Sequence, residues 1–270
     1  YYWKVDTEGN QLPYIDNIRI EVVEDSEVRL LQVAQGRYDC VFRYNGAPTD
    51  IPFLMENAEA GDFRLVPGWM NGAGAWPGII VNQDYHTAMD YDPATESEED
   101  KEIRALLRNH DFLVGLSYAM NRQRVVDVAW DGIGEAKNFT ISPQSPHFTS
   151  SDEGKKVFEE WANAYAEYSP DKAKAAFDAA GFKDADGDGI RDLPSGKPFT
   201  LILQLNDWSA ATVNTDFVEA YKLDLEAVGV KVLIDNAIGT ADGGTNRDNG
   251  LFMLATTHAS ELDLWTYPDW

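Results

Sequence analysis

From Ile103 to Gly134 the chain reads IRALLRNHDFLVGLSYAMNRQRVVDVAWDGIG, and its apolar spacing decides what kind of fold surrounds it. Ile103, Leu106 and Leu107 recur at helical intervals, and Phe112, Leu113, Leu116 and Ala119 continue the stripe after a break at His110 and Asp111. Two short helices with one inward apolar face are therefore expected. Asn121 stands where an N-cap opens a third helix, Arg122 to Trp130, with Val125, Val126 and Ala129 on its buried side and Gly132 just past its end.

Outward from this block the pattern alternates between strands and helices. Ile18, Ile20 and Val22 face one way and Arg19 and Glu21 the other, the signature of a half-buried strand over Ile18 to Val23. Glu24 to Gln35 reads as a helix stopped by Gly36, and Cys40 to Phe42 as the next strand. A second such unit follows: Phe199, Leu201, Leu203 and Leu205 alternate along a strand, Phe217, Tyr221, Leu225 and Val228 make a helix stripe ended by Gly229, and Val230 to Ile234 returns as a strand. Strand, helix and strand in that order is typical of parallel α/β sheets. A further strand is expected at Ile79 to Asn82, and a helical block from Lys101 to Trp130 and Asp152 to Ala180, interrupted by the Pro- and Ser-rich loop Ile141 to Ser151.

Composition excludes several partners. The 270 residues carry 22 Lys and Arg against 46 Asp and Glu, a formal net charge of −24, whereas a phosphate-backbone partner requires clustered cations, so nucleic acid is not expected. Part of the acidic surplus is local, in Asp90 to Glu102, a solvated loop running into a charged helix start. The longest apolar runs, such as Leu251 to Ala255, fall far short of the roughly 20 residues of a membrane span. Cys40 is the only cysteine, so no intrachain disulfide can form, and its place in an expected strand marks it as an inert buried thiol.

The chemical motif with the clearest spacing is DADGDGIRD, Asp184 to Asp192. Asp184, Asp186, Asp188 and Asp192 with the Ile190 carbonyl are the oxygen set that a hard cation such as calcium takes, and glycine supplies the sharp turn. It is not an EF-hand, because Ser195 stands where the bidentate Glu belongs. The same residues also favour a plain turn joining a helix to a strand. In either case the role is structural.

Several segments together resemble the family 5 solute-binding proteins of ABC transporters. They are the stretch from Ile103 to Gly134, the entry Tyr1-Tyr2-Trp3 with Leu12 to Asp16, Val28 to Asp39 (VRLLQVAQGRYD), AAFDAAGFKDADGDGIRD from Ala175 to Asp192, and Ser260 to Trp270. The resemblance implies a type II periplasmic-binding-protein-like α/β fold and a non-catalytic, monomeric receptor outside the cytoplasm. Such a receptor captures an oligopeptide, or an oligosaccharide or related solute, between two lobes for a membrane permease. It also implies that this chain is a piece of a longer protein: residues 1–80 as the end of lobe I and the hinge approach, residues 81–270 as most of lobe II.

Aromatic residues at expected strand ends are the ligand-binding candidates, because an indole stacks on sugars, cations and peptide side chains. They are Trp69 (with Trp76 in the same loop), Trp208 beside Asn206 in LNDWSA, and Trp265 in ELDLWTYPDW. By resemblance, Asp263 matches the cleft aspartate that pairs with the ammonium group of a bound peptide, with Glu261 as a rival carboxylate. Signs of catalysis are few: His86, His110, His147 and His258 show no metal-ligand spacing, and there is no nucleophile elbow, dinucleotide fingerprint or P-loop. The competing reading is a calcium-stabilised carbohydrate-active enzyme using Asp207 with Asp263 or Glu261.

Overall fold

The structure, a computed structural model, describes residues 3–41, 50–65, 78–87, 92–130, 132, 134–138, 143–205, 212–235 and 253–257, without the side chains of 212–214 and 255–257. The chain divides into two compact units, residues 1–46 with 50–65, and residues 47–49 with 66–270.

The first unit contains α1 (Ser26–Ala34) and α2 (Asp50–Asn57). Asp25 starts α1 by accepting the Val28 N–H at 2.8 Å, and Gly36 leaves it at φ +65°. A Cβ at Gly36 would stand 1.9 Å from the Gly61 carbonyl oxygen, so both backbone conformation and space demand glycine there. The strand expected over Ile18 to Val23 does not form: Ile18, Ile20 and Val22 are 80, 83 and 86% exposed and join no ladder. Alternation specifies a face, but a strand needs a neighbour to hydrogen-bond and a layer to cover that face. Cys40 is exposed and not in a strand, which corrects its reading as a buried thiol; Phe42 lies outside the described residues.

The second unit is built on a sheet of β1 (Gly78–Val81), β2 (Leu201–Gln204), β3 (Val232–Asp235) and β4 (Leu254–Thr257), in the order β1-β4-β2-β3. β2 is parallel to β3 and to β4, whereas β1 is antiparallel to β4, pairing Gly78 with Thr257 and Val81 with Leu254. The helix between β2 and β3 is α9 (Thr212–Glu226), and Gly229 follows it at φ +87°, as the spacing of Phe217, Tyr221 and Leu225 predicts. β4 has no counterpart in the sequence reading. At four residues, Leu-Ala-Thr-Thr, it is too short for its pattern to mark a strand by itself.

The helices are α3 (Glu98–Leu107), α4 (His110–Ala119), α5 (Arg122–Ala129), the single turn α6 (Pro146–Thr149), α7 (Asp152–Asn163) and α8 (Pro170–Ala179). Their starts are chemically marked: Ser97, Asn109, Asn121, Ser151 and Ser169 each accept a first-turn backbone N–H. α4 lies against α8 because Gly115 leaves room; a Cβ there would come within 2.5 Å of the Phe177 ring. Phe112, Phe177 and Phe182 form a triangle with ring centroids 5.4–5.6 Å apart, and Phe199 continues it from Phe182 at 5.6 Å. Each such ring contributes about 1.5–3 kcal/mol by leaving water.

Candidate functional site

Because β2, β3 and β4 run the same way, their carboxyl ends, Gln204, Asp235 and Thr257, lie on one edge of the sheet, and the antiparallel β1 begins on that edge at Gly78. Open α/β sheets bind ligands outside this edge, where the connections diverge. Trp69 and Trp76 precede Gly78 in the chain, Asn206, Asp207 and Trp208 follow Leu205, and Glu261, Asp263 and Trp265 follow Thr257. All of these lie outside the described residues; the sheet fixes only that their segments attach at a common edge. The edge itself is tied by the Leu205 N–H donating to the Asp235 carbonyl at 3.2 Å and by the buried Gln204 amide donating to the Asp235 carboxylate at 3.3 Å.

Behind Gly78 is a cavity of about 200 Å³ walled by Ile79, Leu113, Leu116, Met120, Phe217 and Tyr221, with Ser117, Arg122, Lys137 and Asn138 as its polar members. Arg122 is the first residue of α5. Its Nη1 donates to the carbonyls of Ser117 (2.9 Å) and Ala166 (3.0 Å), and its Nη2 to Ser117 Oγ (2.8 Å) and Asn138 Oδ1 (2.9 Å). Among the described residues no carboxylate pairs with it, and burial, only partly offset by Tyr221, lowers its pKa. The Lys137 ammonium is 2.8 Å from the exposed Glu135 carboxylate and 5.0 Å from the Phe158 ring centroid. Tyr221 donates its hydroxyl to the Leu116 carbonyl at 3.0 Å, and burial holds its phenol well above the ordinary value.

The turn between α4 and α5 is held from α9. Buried Asp224 accepts the Asn121 N–H at 2.9 Å and pairs with Arg124 at 2.8 Å, and desolvation raises its pKa despite those partners. Sequence reasoning identified Asn121 as a cap but missed Arg122, Asp224 and Lys137. The available signal was an arginine directly after a capping residue, at the start of an expected helix.

The Asp-rich loop is a hairpin closed by the Asp192 N–H donating to the Lys183 carbonyl at 2.8 Å. Carboxylate oxygens of Asp184, Asp186 and Asp188 lie within 4.8 Å of one another, and among the described residues they are the only such acidic or His/Cys group. Asp184 accepts the N–H groups of Gly187 (2.6 Å) and Gly189 (2.9 Å), which lowers its pKa. Asp186 accepts from Asp188 at 3.1 Å, and Asp188 from Ile190 at 2.7 Å. Asp192 stands apart, buried, with Oδ2 accepting the Ala185 N–H at 2.9 Å. Next to the loop is a wider recess of about 470 Å³, but it adjoins the amino end of β3 and its Arg191 is already paired with Asp178 at 2.6 Å. The smaller cavity runs along β1, lined by Gly78, Ile79 and Val81.

The family model for bacterial extracellular solute-binding proteins, family 5 (middle), matches residues 1–266. The periplasmic alpha-galactoside-binding protein of Rhizobium meliloti is 25% identical over 257 residues, covering 91% of this chain and 33% of that protein. The oligopeptide-binding protein AppA of Bacillus subtilis is 26% identical over 223 residues, 82% of this chain and 33% of that protein. A solved oligopeptide-binding protein, OppA, superposes with a TM-score of 0.70 at 28% identity, covering 98% of this chain and 38% of its own. The chain spans about a third of the length of the curated relatives it matches.

Proposed function

This chain belongs to the bacterial extracellular solute-binding proteins of family 5, and we propose that it supplies one wall of the ligand cleft in the substrate-binding component of an ABC importer. In this reading the protein acts outside the cytoplasm as a monomer, captures an oligopeptide between two lobes, closes by hinge motion and delivers its cargo to a membrane permease without chemical turnover. The observation that carries it is the shared edge of Gln204, Asp235, Thr257 and Gly78, to which the segments of Trp69, Asn206, Trp208, Asp263 and Trp265 attach. An oligosaccharide is the second reading, favoured by the relative that binds alpha-galactosides and by the tryptophans of those segments.

Calorimetric titration of the full-length parent protein with short peptides and with galactosides tests both. Peptide binding abolished by Asp263→Ala supports ammonium pairing; saccharide binding abolished by Trp265→Ala but kept in Asp263→Ala supports the second reading. Hydrolysis of a glycoside lost with Asp263→Asn would overturn both.

The Asp184–Asp192 loop is proposed as a structural calcium site remote from the ligand, supported by the clustering of Asp184, Asp186 and Asp188. Their Asx-type hydrogen bonds also hold the loop without a cation, so its test is direct. Calcium should raise the Tm of the chain, and Asp186→Asn should remove that shift; an unchanged Tm in millimolar calcium would leave a plain turn.

A further inference from the structure

We propose that the cavity along β1 is an apolar subsite that takes one uncharged group the size of a benzyl or an isobutyl. Strand alternation puts Ile79 and Val81 on one face of β1, opposite to Ile80. The cavity they line is completed by Leu113, Leu116 and Met120, which recur at helical spacing along α4 and at its C-cap, and by Phe217 and Tyr221, one turn apart on α9. The last two rings lie nearly parallel, with 5° between their planes and 6.3 Å between centroids, and make an aromatic wall.

Its floor is packed and its rim is not. Leu116, Phe217 and Tyr221 are buried, whereas Ile79, Val81, Leu113 and Met120 pack against the same core and stay partly exposed. Those rim side chains have apolar surface still to remove from water, and a guest of matching chemistry removes it. Polar atoms in the lining are engaged elsewhere. The Ser117 hydroxyl donates to the Tyr165 carbonyl at 3.0 Å, the Tyr221 hydroxyl to the Leu116 carbonyl at 3.0 Å, Arg122 to the Ser117 and Ala166 carbonyls, and the Lys137 ammonium faces Glu135 at 2.8 Å. Water needs two to four polar partners to stay in such a space, while a cavity of roughly 150 Å³ lined by Leu, Ile and Phe stays dry and binds benzene. The space here, about 200 Å³, is of that order, whereas protein interiors hold few voids larger than one water. A sugar ring would bring hydroxyls that hydrocarbon walls leave unpaired. A free small hydrophobe and an apolar side chain of a captured peptide both carry the required chemistry. The subsite stands on the packing of the second unit and goes beyond the receptor reading.

The test is methyl NMR and calorimetry on the full-length parent protein with toluene and with the N-acetyl amides of glycine, alanine, leucine and phenylalanine. Toluene should bind and move the Ile79 and Met120 methyl resonances. The amides should tighten about fourfold per buried methylene from glycine to leucine. Binding of toluene with no such tightening assigns free hydrophobes; tightening along the series assigns a peptide side chain. Leu113→Phe, at the half-exposed rim, should fill the space and abolish these responses. Leu113→Ala, which widens the space, should keep them and admit naphthalene, and it decides the matter if the filled variant fails to fold. The proposal is overturned if neither toluene nor the leucine and phenylalanine amides move those methyls, if the response survives intact in Leu113→Phe, or if Leu113→Ala loses it. The receptor reading is judged separately, by the peptide and galactoside titrations of the parent protein, so either can fail alone.

Discussion

The two units use similar sequence patterns with opposite results. In the first, Leu54 is the only fully buried residue among those described, and the alternating Ile18, Ile20 and Val22 stand in water. In the second, the alternating Leu201 and Leu203 are completely buried, and Phe112, Phe177 and Phe182 have no exposed surface. The difference is the supply of partners: β2 has β3 and β4 on its two sides and helices to cover it. Periodicity says which face of a segment is apolar, and burial follows only if another element covers that face.

This contrast can be broken by mutation and by pH. The largest effect is expected for Phe177→Ala, which removes the ring filling the space beside Gly115 and should cost about 3–5 kcal/mol in denaturant unfolding. A loss below about 1 kcal/mol would show that the second unit is loosely packed. An intermediate effect is expected at Asp184. Its folded pKa is lowered, chiefly by the Gly189 and Gly187 N–H bonds, so the stabilisation it gives is present above its unfolded value near 3.8 and is lost as pH falls through the lower folded value. Protection of the Gly187 and Gly189 amides in hydrogen exchange should therefore fall, relative to the Phe177 amide, over that acid range alone. Protection flat with pH would mean that the carboxylate does not hold the loop. The smallest effect is expected for Ile20→Ser, within about 0.5 kcal/mol, as for exposed positions generally. A cost of about 2 kcal/mol would mean that this stripe is covered in solution.

Legibility followed the same division. The cap at Asn121, the ends of α1 at Gly36 and α9 at Gly229 and the β2–α9–β3 unit could be read directly, because a capping oxygen, a left-handed glycine and a 3.6-residue stripe act within a few residues. The Asp-rich loop was legible as a turn with clustered carboxylates; the separate position of Asp192, drawn inward to the Ala185 N–H, was not. Arg122 was missed because its acceptors on Asn138 and Ala166 lie 16 and 44 residues away in the chain, where no local spacing reveals them. The strand expected at Ile18 to Val23 did not form because, among the described residues, no strand lies alongside it to complete a ladder.

By itself the sequence determined the long helices α1, α3–α5 and α7–α9, the parallel pairing of β2 with β3 and the family resemblance, all of which rest on short-range chemistry repeated along the chain. Only the tertiary structure decided that Leu254–Thr257 inserts between β1 and β2 and that Asp224 anchors the start of α5 from about a hundred residues away. It also set the Arg122 guanidinium against acceptors on Ser117, Asn138 and Ala166. Such pairings are set by which buried faces and donors find partners across the fold, and that choice is made by the global packing of the core.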